Sequence, residues 1–150
     1  MKKTLLIAFF LLSTISIFAQ RQNRFERIKA LKTAYITDKV NLSSQEAEKF
    51  WPVYNEFEKE LHQLKVVKRR EIQQKLIDKG GIDTLSDVDA KKIKNEIAQL
   101  RAAIFNKEQE KYSKLEKVLS SKKILKLYGA EESFKKELMR LLKEQHGKRF

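Results

Sequence analysis

The chain has 150 residues, with 33 Lys and Arg against 20 Asp and Glu, a formal charge of +13, four Gly, one Pro and no Cys. That length holds one domain, or one protomer of a small assembly, and is too short for a two-domain enzyme with a cofactor-binding half. No Cys excludes disulfides, thiolate nucleophiles, iron–sulfur clusters and Cys-based zinc sites, and two isolated histidines, His62 and His146, leave almost nothing for a triad or a His metal cage. Few Gly and Pro with many Lys, Glu and Leu is the composition of long helices, which predicts an all-α fold.

The first residues read as an address. Met1-Lys2-Lys3 is a basic start, Leu5 to Phe18 is an apolar run broken by Ser13, Thr14 and Ser16, and Ala19 supplies the small residue of a cleavage site. Residues 1–19 therefore read as a secretory signal peptide, and 20–150 as the mature domain. The alternative is an uncleaved anchor, but the run falls short of the roughly 20 residues that span a bilayer. An exported, periplasmic protein is expected. Export changes the meaning of the charge. In the cytosol a sequence pI of about 9.8 suggests nucleic acid; outside it, the partners left are acidic unfolded polypeptides, anionic envelope surfaces or an acidic receptor domain. The bland alternative is charge for solubility alone.

Four helices are predicted. The first covers 23–39, with Phe25, Ile28, Leu31, Tyr35 and Ile36 on one face. The second covers 44–79: Ser43 with Glu46 makes a capping box, Ala47, Phe50, Tyr54, Phe57, Leu61 and Leu64 form a coiled-coil-like stripe that Ile72 and Leu76 continue, and Gly80-Gly81 ends it. At about 1.5 Å per residue this is a rod of about 54 Å. Ser86 and Asp89 signal a third helix over 87–118, with Ile93, Ile97, Leu100, Ile104, Tyr112, Leu115 and Val118 as its stripe. The fourth, 121–144, carries Ile124, Leu127, Phe134, Leu138 and Leu141 on one face, and the tail from His146 to Phe150 is expected to fray.

Residues 41–61 align without a gap on 118–138. Leu42, Ser43, Ser44, Lys49, Phe57, Lys59, Glu60 and Leu61 recur as Leu119, Ser120, Ser121, Lys126, Phe134, Lys136, Glu137 and Leu138, and Trp51 recurs as Tyr128. Two copies do not make a solenoid; they suggest two helical hairpins of one design, each opened by a Leu-Ser-Ser turn. Pro52 aligns with Gly129. Proline deprives the carbonyl of Glu48 of its donor, and glycine weakens a helix by about 1 kcal/mol relative to Ala. A bend in both helices is the expectation.

Leu42-Ser43-Ser44-Gln45-Glu46, and again Leu119-Ser120-Ser121, resemble the Leu-Thr-x-x-Gln motif of the Spy/CpxP-type family of periplasmic chaperones and envelope-stress sensors. Glu46-Ala47 and Phe50-Trp51-Pro52-Val53-Tyr54-Asn55 are similar to a branch labelled sensors of extracytoplasmic-function sigma factors. Ser43 and Ser120 stand where Thr is usual, which keeps the capping hydroxyl. Glu46 and Lys123 stand where Gln is usual; Glu46 can close a capping box and Lys123 cannot. The resemblance implies a thin, bent pair of helical hairpins, an antiparallel homodimer shaped as a cradle, and ATP-independent capture of unfolded clients.

Family position gives Phe50, Trp51, Tyr54 and Phe57 a role in client or partner contact; core packing is the alternative, and Trp51, off the stripe, is the best exposed aromatic. Lys65, Lys68, Arg69 and Arg70, and again Lys135, Lys136, Arg140 and Lys143, read as basic runs for acidic clients or as solvated faces. No phosphate loop, nucleophile elbow or converging metal ligands occur, so no cofactor, metal or catalytic residue is assigned. The expected function is a non-enzymatic periplasmic chaperone or stress modulator without nucleic-acid binding. Two alternatives stand: a dedicated sensor of one membrane-anchored signalling partner, and a basic protein binding anionic envelope surfaces.

Overall fold

The computed structural model describes residues 26–147. The expected signal peptide, Phe25 and the last three residues lie outside them. Among the described residues there are helices and turns and no strand. Helix α1 spans residues 26–40; α2 spans Ser44–His62, α3 Arg69–Asp78, α4 Asp87–Leu115 and α5 Ser121–Gly147. The domain expected over 20–150 is built as two compact units. Leu42–Ile124 is one; the described residues on either side of it make the other.

In the first unit α2 and α3 are joined by a π-helical turn, Gln63–Lys68, and all three pack on α4. The rod predicted over 44–79 is thus helical to Asp78, but with a wide turn inside it that the three-and-four spacing did not signal. The neighbouring β-branched pair Val66-Val67 is the one local hint, since such residues crowd a regular α-turn. No residue of this turn is fully buried.

The helix ends follow the expected chemistry. Ser43 and Glu46 close the capping box, with the Glu46 N–H donating to Ser43 Oγ at 3.2 Å and the Ser43 N–H to Glu46 Oε2 at 2.8 Å. Ser86 Oγ accepts from the Asp89 N–H at 3.2 Å. After α3, Gly80 and Gly81 have φ of 83° and 99°, and their N–H groups donate to the carbonyls of Ile77 and Leu76, both at 2.9 Å. This is the double bond of a Schellman motif, and it needs left-handed residues that glycine supplies without strain. Asn41, at φ 57°, ends α1 with a single bond of this kind, its N–H donating to the Asp38 carbonyl at 3.1 Å. Helix α4 ends at Leu115, three residues before the predicted Val118, where the N–H groups of Lys117 and Val118 switch to tighter bonds to Lys114 and Leu115. Helix α5 outruns its predicted end at 144 and reaches Gly147, since Lys143-Glu144-Gln145-His146 contains no breaker.

The core of the first unit joins Phe50, Tyr54, Phe57 and Leu61 of α2 to Ile93, Tyr112 and Leu115 of α4, with Leu119 and Ile124 also buried. Ile97, Leu100, Ile104 and Val118 of the predicted α4 stripe are half-buried. In the second unit the rings of Tyr35 and Phe134 meet at 5.6 Å, and Ile36, Val40, Leu127 and Ala130 are buried. Two expected core residues are corrected here: Leu31 of α1 and Leu141 of α5 are exposed. Leu141 is the last residue of its predicted face, whereas Leu31 lies mid-face between half-buried Ile28 and Tyr35.

Candidate interaction surfaces

The two Leu-Ser-Ser turns meet through the residues that depart from the motif. Lys123 Nζ donates to Glu46 Oε2 at 2.5 Å across a separation of 77 residues. The same carboxylate oxygen caps α2 through Ser43. Lys123, and then the Ser43 N–H, hold the Glu46 carboxyl below the usual carboxylate range. The second turn keeps its backbone geometry, with Ser120's carbonyl accepting from the N–H groups of Lys123 at 2.8 Å and Ile124 at 3.0 Å. Lys123 cannot close a box of its own; it reaches the box of the other copy. Leu119 is buried and Leu42 half-buried, so each turn also plants a leucine. The pairing was missed in the sequence, although opposite charges at equivalent positions of a repeat were its signal.

The aromatic group is packing. Phe50, Tyr54 and Phe57 are 0%, 1% and 6% exposed, which corrects their expected role in client contact. Trp51 is half-buried: its ring stands edge-on to Phe50 at 4.9 Å and to Tyr54 at 5.4 Å, while Phe50 and Tyr54 stack at 5.1 Å. Two lysines of α4 lie over this layer. Lys111 Nζ is 5.2 Å from the Tyr54 ring and 4.6 Å from that of Tyr112, with Glu58 at 3.7 Å. Lys107 Nζ lies 5.4 Å from the Phe57 ring, and Glu110 and then Glu60 push its pKa up to about 12. Lys111 is 3% exposed; the ring quadrupoles and the Glu58 carboxylate take the place of water around its ammonium. These contacts fix the register of α2 on α4.

The basic run on the rod is split. Lys65 is tied to Glu108 and Lys68 to Glu71, whereas Arg69 and Arg70 have no anionic partner among the described residues. Of the four, only the two arginines stand without a carboxylate partner among the described residues.

A different surface combines apolar area with free charge. On α5, Leu125, Tyr128, Glu132, Lys136, Met139 and Lys143 follow one another at steps of three and four, which puts them on one outward face. Leu125, Tyr128 and Met139 are 71%, 41% and 54% exposed. Lys126, Lys135, Lys136 and Lys143 have no carboxylate partner among the described residues, while Arg140 is neutralised by Glu137 and Glu144. A shallow hollow of about 480 Å³ lies along this face at Lys136, Met139 and Lys143. The inner stripe drew attention from this second one. The steps of three and four from Leu125 through Tyr128, Glu132 and Lys136 to Met139 were readable all the same.

Helix α2 runs through Pro52, which is exposed. At Gly129 a Cβ would meet nothing within 4 Å, so packing does not demand glycine there. Among the described residues no group of three or more His, Asp or Glu could hold a metal ion. No helix among them is long and apolar enough to cross a membrane. No family model matches the chain, and neither the curated proteins nor the solved structures contain a match.

Proposed function

We propose that this protein is an exported, ATP-independent binder of unfolded or partly folded polypeptides, working without cofactor or bond chemistry. The observation that carries the reading is the outer face of α5, where Leu125, Tyr128 and Met139 stand exposed among uncompensated lysines. Exposed apolar groups are what an unfolded chain seeks. Surrounding positive charge speeds its capture, and a narrow face holds it weakly enough to release it. Arg69 and Arg70 add a second attraction for acidic segments. The Leu-Ser-Ser turns, which resemble those of Spy/CpxP-type chaperones, and the leader-like residues 1–19 support a periplasmic setting. A homodimer follows from the same resemblance and from the thin core that long amphipathic helices give one chain.

The test is light scattering from two unrelated aggregating clients. Protection of both at near-stoichiometric ratio is expected, with loss in Leu125→Ser/Met139→Ser. Protection of neither, with tight binding to a single membrane-anchored signalling protein, would replace this reading by the dedicated sensor. Salt-sensitive sedimentation with anionic liposomes alone would replace it by the envelope-surface protein.

A further inference from the structure

The turn between α3 and α4 is chemically unlike the rest of the chain. Ile77, Ile82 and Val88 are 66%, 74% and 64% exposed. Between Ile77 and Asp89 the sequence holds aspartates at 78, 83, 87 and 89 against Lys79 alone. Lys79 is bound to Asp89 at 2.9 Å. Asp78, Asp83 and Asp87 have no cationic partner among the described residues. On a chain of charge +13, this is an acidic, apolar tip.

Local stability explains only part of the tip: Asp87 and Asp89 lie in the first turn of α4, where the helix dipole favours carboxylates, but it does not explain Asp78, Asp83 or the apolar residues. Asp78 ends α3, where the helix dipole disfavours a carboxylate. Three exposed branched aliphatics gain nothing from water. The tip is also stiff: besides the Schellman bonds, the Thr84 hydroxyl lies 2.6 Å from the Lys79 carbonyl and 3.0 Å from that of Gly81. A Cβ at Gly80 would come within 2.9 Å of that hydroxyl oxygen, so a larger residue there would have to displace the Thr84 side chain. A preformed surface of this kind loses little entropy when a partner covers it.

The complementary surface is the outer face of α5, apolar at Leu125, Tyr128 and Met139 and cationic at Lys135, Lys136 and Lys143. Glu132 is its one interruption. We propose that the tip of one copy docks on the α5 outer face of a second copy, and so covers the face assigned above to clients. The covering role rests on that functional reading; the contact itself does not. Charge complementarity selects the occupant: the chain carries on its own surface the cationic, apolar partner that an acidic, apolar tip requires.

Two readouts on the full chain test this. In sedimentation velocity, wild type is expected to self-associate, about tenfold or more weakly at 500 than at 50 mM salt. Asp78→Lys/Asp83→Lys, Ile82→Ser/Val88→Ser and Lys135→Glu/Lys136→Glu should each weaken association about tenfold, and combining the first with the third should restore it. All these positions are exposed, and circular dichroism checks that each variant folds. In light scattering, Ile82→Ser/Val88→Ser should protect clients at a lower ratio than wild type. A wild type that stays monomeric overturns the proposal, as does association indifferent to the tip variants. Tip-dependent capture of an added cationic amphipathic peptide by a monomeric chain overturns it in favour of another basic partner. Unchanged client protection in the tip variant overturns the covering role. Protection by no variant or wild type removes the functional reading, while sedimentation still decides the contact.

Discussion

Residues 41–61 and 118–138 start from one sequence pattern and end in different roles. The first copy buries Phe50 and leans Trp51 on it. The second buries Leu127 at the position of Phe50 but leaves Tyr128, the counterpart of Trp51, 41% exposed. Pro52 answers to Gly129, and Glu46 to Lys123. The shared residues set where each helix begins; the unshared ones decide which face is consumed by the core. A repeat therefore predicts backbone more securely than surface.

The largest effects should separate the copies at their equivalent core positions. Phe50→Ala removes the centre of a stacked aromatic group and should cost about 3–5 kcal/mol, against about 2–5 for Leu127→Ala, where a smaller side chain is lost. Chemical denaturation of both variants checks this. A loss under 1 kcal/mol for Phe50→Ala would mean that the aromatic layer is not a core.

The helix-weakening pair should respond in the opposite direction. Pro52→Ala returns a donor to the carbonyl of Glu48 and should stabilise by about 1–3 kcal/mol. Gly129→Ala has open space for its methyl and should stabilise by about 0.5–1 kcal/mol. Thermal melts rank the two. A destabilised Pro52→Ala would show that the surrounding packing depends on the proline.

Much of the scaffold was legible in the sequence. The starts at Ser43 and Ser86, the stop at Gly80-Gly81 and the stripe from Phe50 to Leu61 all depend on local chemistry, and local chemistry is what a sequence displays. The π turn at Gln63–Lys68 was not legible, because one extra residue per turn leaves no mark on a spacing of three and four. The functional surface was misjudged for a different reason. Phe50, Tyr54 and Phe57 attracted attention as aromatics, yet their spacing already put them on the buried stripe. The outer face of α5 uses Leu125, Tyr128 and Met139 more sparsely, and burial is what distinguishes it.

The joint between the copies predicts smaller, pH-dependent effects. Ser43→Ala should cost about 1 kcal/mol through the lost cap. The folded-state carboxyl of Glu46 lies below its ordinary value of 4.5. Its contribution is therefore complete above that value and is lost as pH falls through the lowered one. Glu46→Gln should flatten this part of the acid limb of stability, read as the thermal midpoint against pH. Exchanging the charges as Glu46→Lys/Lys123→Glu should restore the ion pair but not the capping bond to the Ser43 N–H, so recovery should be partial. Full recovery would show that the cap contributes nothing. At the edge of the aromatic layer, Trp51→Ala should cost about 1 kcal/mol or more, since Trp51 rests edge-on against two buried rings.

The most direct test of the functional reading is a photo-crosslinking amino acid placed at position 128 or at position 82 and irradiated with an unfolded acidic client. Both sites are exposed and apolar, one among lysines and the other among aspartates. Adducts from position 128 that fade with salt, and few from position 82, are the expected result. Equal yields from the two positions, or none from position 128, would contradict the account.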